Sequence, residues 1–90
     1  MDTMKPTVKH MSDHQDSDHF TYHHSWEEIE DMLDKAERKM NTWINIFYEA
    51  DSRGNIKIKK DAARNKKALE GVVKTLRWVL GDIRIKDPLN

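Results

Sequence analysis

The chain has no cysteine. That one absence removes disulfides, thiolate nucleophiles and thiolate metal ligands together. Three Gly and two Pro among 90 residues are too few for a many-stranded fold, in which each strand end needs its turn. No apolar run approaches the roughly 18 residues that cross a bilayer, and the first residues lack the apolar core of a secretory signal. The expectation is a soluble chain in the cytoplasm, without a membrane partner. A Gly-rich phosphate loop is also missing. Every His lies within the first 24 residues, and the four Ser fall in that segment, at a helix cap and in a turn. No nucleophile, base and orienting group can be assembled from them. The chain is therefore expected not to be an enzyme and to need no cofactor.

What is present is charge, at 36% of residues, unevenly divided. Residues 25–50 hold seven acids against three bases, whereas residues 51–90 hold eleven bases against five acids. The formal net charge of zero thus conceals an acidic half and a basic half. Such a division suits two complementary elements, or one face kept for an anionic partner.

Residues 1–24 are polar, rich in His, Asp, Ser and Thr. They have too little to bury to offset their ordering entropy, and are read as a mobile arm. Ser25 then begins a helix. Glu28 stands three residues later, the Ser-x-x-Glu capping box, and Glu27, Glu28, Glu30 and Asp31 place negative charge at the positive end of the helix dipole. Trp26, Ile29, Leu33, Ala36, Met40, Trp43, Phe47 and Ala50 recur at alternating spacings of three and four, an a/d seam. The first helix is predicted over residues 25–51.

Residues 52–55 form the predicted turn. Gly54 is suited to a left-handed cap, and Asn55 to capping the next helix. A second helix is predicted over 56–81, with a seam of Ile58, Ala62, Asn65, Leu69, Val72, Leu76 and Val79. Gly81 and Pro88 stop it, leaving 82–90 as an extended tail with Ile83 and Ile85 free for docking. Two long helices on so short a turn must lie antiparallel. The fold class expected is all-α: an antiparallel helical hairpin over 25–81. Bulky Trp43 and Phe47 are expected to face the small Ala62, Asn65 and Ala68.

One hairpin alone is marginal in water. Apolar residues outside the seams, among them Met32, Ile44, Ile46, Tyr48, Val73 and Leu80, and a strip of Gly71, Thr75 and Trp78, point to a homo-oligomeric helical bundle. Asn65 is either a polar residue that sets register or a solvent-facing one.

His10 and His14, and His19 and His23, are four apart and would share a face in a helix. Such pairs can bind zinc or nickel. The segment reads as unfolded and lacks the His-Glu-x-x-His order, so no metal site is expected. The turn at 51–56 also fails as a calcium loop, because Arg53 stands where a ligand oxygen is needed and the closing Glu is absent. The clearest functional signal is basic. Arg53, Lys57, Lys59, Lys60, Arg64, Lys66 and Lys67 crowd the turn and the start of the second helix, with Lys74 and Arg77 beyond. These charges suit phosphates, or else simply solvate the helix and pair with the acidic one. Lys at a helix start opposes the dipole, a local cost that a bound anion would relieve.

The stretch Asn65-Lys-Lys-Ala-Leu-Glu-Gly-Val-Val-Lys-Thr-Leu-Arg-Trp-Val-Leu-Gly-Asp82 resembles the closing helix of short tailed-phage proteins. More loosely, it is similar to phage anti-defence sponges that bind cyclic nucleotide signals, small helical oligomers of two long antiparallel helices. The likeness centres on Gly71 and Arg77, and the His-rich arm departs from it. It implies a non-enzymatic phage-type accessory protein of the host cytoplasm, which sequesters an anionic ligand or blocks a host protein. Arg64, Lys67, Lys74 and Arg77 are the expected phosphate contacts, with Trp78 as a stacking surface. Two alternatives are a nucleic-acid-binding hairpin dimer and a component of virion assembly.

Overall fold

A computed structural model describes residues 19–90. Among them there are two helices and no strand: α1 (Trp26–Arg53) and α2 (Ile56–Val79). Expectations placed on residues 1–18, including His10 and His14, lie outside the described residues. His19 and His23 are described, and neither is helical.

The caps form as their chemistry requires. Ser25 Oγ accepts from the Glu28 backbone N–H at 3.1 Å, and Glu28 Oε1 accepts from the Ser25 N–H at 2.7 Å. That second bond, to the Ser25 backbone, holds the Glu28 carboxyl below its ordinary value. Gly54 closes α1 in the left-handed region at φ 71°. Its N–H donates to the Asp51 carbonyl and the Asn55 N–H to the Ala50 carbonyl. A Cβ at Gly54 would touch nothing within 4 Å, so backbone conformation alone demands glycine here. Asn55 Oδ1 then accepts from the Ile58 N–H at 3.2 Å, starting α2 at once.

The helices run antiparallel. Asp51 pairs with Lys59 beside the turn, and Glu37 with Arg77 far from it. The molecule extends 62 × 28 × 28 Å with a radius of gyration of 18.5 Å, against about 12 Å for a compact domain of this length. So thin a body encloses little. Among the described residues the buried hydrophobic ones are Ala36, Ala50, Ala62 and Val73, and no large side chain is fully buried.

On α1 the expected seam faces α2. Ile29, Leu33, Met40, Trp43 and Phe47 are half-buried and Ala36 and Ala50 buried, while Trp26 at the start is exposed. On α2 the contact line is rotated. Ala62, Leu69 and Leu76 face inward as expected, but their companions are Lys59, Lys66, Val73 and Leu80. Ile58, Asn65, Val72 and Val79 are exposed instead, as is Ala68. The reason is that α2 carries two adjacent apolar lines, and ion pairing selects between them. This rotation turns Lys59 to Asp51 and Arg77 to Glu37, and the aliphatic stems of the two cations cover apolar surface as they reach across. Phe47 consequently meets Lys59, whose Nζ stands 5.5 Å from its ring centroid.

After α2 the chain bends rather than extends. Gly81 takes φ 90°, the Ile85 N–H donates to the Asp82 carbonyl and the Asn90 N–H to that of Asp87. Ile83 is exposed and Ile85 half-buried.

Candidate anion-binding surface

The outward side of α2, opposite α1, carries Lys57, Lys60, Arg64, Lys67, Gly71, Lys74 and Trp78. Their spacings alternate three and four, so they form one stripe. It contains no acid. Arg64 reaches sideways to Asp61 at 3.0 Å, whereas Lys57, Lys60, Lys67 and Lys74 have no ion-pair partner among the described residues. From Lys57 to Lys74 the stripe runs about 26 Å at the α-helical rise. Trp78 ends it, 48% exposed.

Four of the five residues singled out from sequence therefore share this side: Arg64, Lys67, Lys74 and Trp78. Arg77 does not. It turns toward α1, where Glu37 takes one guanidinium nitrogen and Asp82 lies 3.7 Å from another. Asp82 in turn accepts from the side chain of Arg84 at 2.8 and 3.0 Å and from its backbone N–H. Those bonds, the side-chain ones first, hold the Asp82 carboxyl well below the usual carboxylate range and raise Arg84. Arg77 thus serves the hairpin and the bend after it.

Beside the stripe is a groove that composition and spacing do not announce. Ile44, Phe47 and Tyr48 of α1 form one wall, and Ala63, Lys66, Lys67 and Glu70 of α2 the other. Its volume of about 390 Å³ falls in the range of about 300–1,000 Å³ typical of small-molecule sites, though one side is open. Tyr48 meets Phe47 edge to face, with ring centroids 5.4 Å apart, and is itself well exposed. Lys66 and Glu70 neutralise each other at 3.2 Å. Lys67 is left as the unpaired charge of the groove, and it belongs to the stripe as well. Finding this from sequence needs the pairing register across the hairpin, because Tyr48 and Lys67 lie on different helices.

Among the described residues, no three His, Asp or Glu are grouped to hold a metal ion, and no helix is long and apolar enough to cross a membrane. Comparison with known protein families, with curated proteins and with solved structures gives no match to this chain.

Proposed function

We propose that this chain is a non-enzymatic binding protein that sequesters an anionic ligand of nucleotide type. The flat portion of the ligand lies in the groove against Tyr48 and Phe47, and its phosphate meets Lys67, with Lys60, Arg64 and Lys74 adding positive field along the stripe. The observation that carries this reading is the position of Lys67, an unpaired cation shared by an acid-free stripe and an aromatic-walled groove. Aromatic faces and ammonium groups together suit a base joined to a phosphate. Sequestration needs affinity but no reacting group, which agrees with the absence of a catalytic set in the sequence. The phage-type accessory context rests on the sequence resemblance alone.

Calorimetry against cyclic dinucleotides, cyclic trinucleotides and single-stranded oligonucleotides tests the proposal. Saturable binding of a cyclic nucleotide, weakened tenfold or more by Lys67→Glu, is the expected result. No heat with any of these ligands overturns it, and binding indifferent to Lys67→Glu removes the groove from the account.

A second reading is favoured by the length of the stripe, which continues on both sides of the groove. Nucleic acid could lie along it, with phosphates on the four unpaired lysines. For a single strand, the logarithm of affinity would then fall against the logarithm of salt concentration with a slope of about −3. A flat salt response in the oligonucleotide arm excludes this reading.

A further inference from the structure

The line that the hairpin leaves unused on α2 is itself a complete seam. Ile58, Asp61, Asn65, Ala68, Val72, Thr75 and Val79 are spaced three and four apart without a break. The large members are open to solvent: Ile58 is 45%, Val72 43% and Val79 37% exposed. Ten of the 24 residues of α2 are charged, yet among these seven only Asp61 is, and Arg64 already holds it at 3.0 Å. An uncommitted surface helix would show charge here. A stripe with so little charge, on a body whose interior is three alanines and one valine, needs a neighbour.

The residue types say which neighbour. Ile58, Asn65, Val72 and Val79 stand seven apart: three β-branched residues and one asparagine. That is the a-position composition of a parallel two-stranded pairing, in which β-branched side chains favour two strands and a single buried Asn fixes register. Asn65 is ready for this. One amide hydrogen donates to the Asp61 carbonyl of its own helix at 2.9 Å, which leaves the other hydrogen and Oδ1 for a matching amide. The d positions are Asp61, Ala68 and Thr75: the last two are small and admit a close approach, and Asp61 would meet its copy with Arg64 of its own helix beside it at 3.0 Å. An antiparallel pairing would set the Lys57 and Arg64 flanks of the two copies side by side, like charge against like. A parallel pairing keeps those flanks apart and matches all four a positions.

We infer that a second copy of this chain covers the stripe, joined α2 to α2 in parallel, with Asn65 facing Asn65 across a two-fold axis. The two α1 helices then lie outside, and Met32 and Ile46 border the joint. Lys60, Lys67, Lys74 and the groove lie away from the joint, so the inference does not depend on the proposed ligand.

The absence of cysteine gives a clean test. The full chain is prepared with one cysteine at a time, as Asn65→Cys, Val72→Cys and Lys60→Cys, and oxidised in dilute solution. Cross-linked dimer is expected from the first two and not from the third, which faces outward. Wild-type protein is expected to sediment as a dimer. Val72→Asp is expected to sediment as a monomer that keeps its helical circular dichroism at raised protein concentration. Cross-linking through position 65 but not 72 overturns the parallel arrangement. Equal cross-linking through position 60, or a wild-type chain that stays monomeric at every concentration, overturns the self-pairing and leaves the stripe to another occupant.

Discussion

The two helices are packed against each other but carry different numbers of apolar lines. α1 holds eight acids and four bases and sets its large apolar residues mainly on one line, which α2 covers. α2 holds eight bases and two acids and has two apolar lines side by side, of which α1 covers one. A single line gives a helix one way to lie. A double line gives it two, and the choice falls to something other than hydrophobicity, here the ion pairs of Lys59 and Arg77. In a thin hairpin the second line has nowhere to go within one chain. The acidic helix covers one line of the basic helix, and the second line stays open to solvent.

Adjacent valines provide the sharpest way to break this comparison. Val73 is buried against α1, and Val72 next to it is not. Val73→Asp places an unpaired carboxylate in the helix contact, at a cost of roughly 3–5 kcal/mol, enough to unfold a body with so small a core. Loss of the helical signal at 222 nm (a standard wavelength for helix content, about the n→π* minimum) is the expected readout. Equal unfolding by Val72→Asp would erase the distinction between the two lines. Next in size is Gly54→Ala, which forces a side chain into the left-handed region and is expected to cost about 1–2 kcal/mol, read by urea denaturation. That loss should fall on α1 and α2 together, since the one residue ends the first and positions the cap of the second.

Ser25→Ala has the smallest effect, about 1 kcal/mol, and it should touch α1 alone. It also sharpens the comparison through pH, because α1 begins on a carboxylate whereas α2 begins on an amide. Glu28 has its carboxyl held below an ordinary value of 4.5. Its stabilising contribution is therefore complete above that pH and is lost as pH falls through the lowered value. Acid titration followed by amide exchange in the first turns should show α1 opening on the acid side. The first turn of α2, capped by Asn55, should not follow. Opening of both starts at the same pH would contradict this assignment.

Much of the hairpin was legible before any coordinates. Ser25, Glu28, Gly54 and Asn55 announce their roles by type and spacing, and α1 has a single apolar line to read. The phase of α2 was not legible in the same way. Leu69, Val72, Val73, Leu76, Val79 and Leu80 satisfy two seams equally, and the residues that decide between them, Lys59, Lys66 and Arg77, are classed as polar although their stems are half-buried. Charge alone marks Arg77 as a ligand contact, but its partner Glu37 lies forty residues away. The stripe needed only helical spacing, so Arg64, Lys67, Lys74 and Trp78 were found together. The groove needed the register of one helix against the other, and Ile44, Phe47, Tyr48 and Ala63 gave no signal of it separately.

The fold-back at Gly54 gives the rod a polarity. Ser25 and Leu80 leave the helices at the same pole, and the bend held by Arg77, Asp82 and Arg84 stays there too. The chain thus enters α1 and leaves α2 at one tip, while the opposite tip is only the two-residue loop of Gly54 and Asn55. A group joined directly at Ser25 or Leu80 would crowd the first pole and leave the second clear.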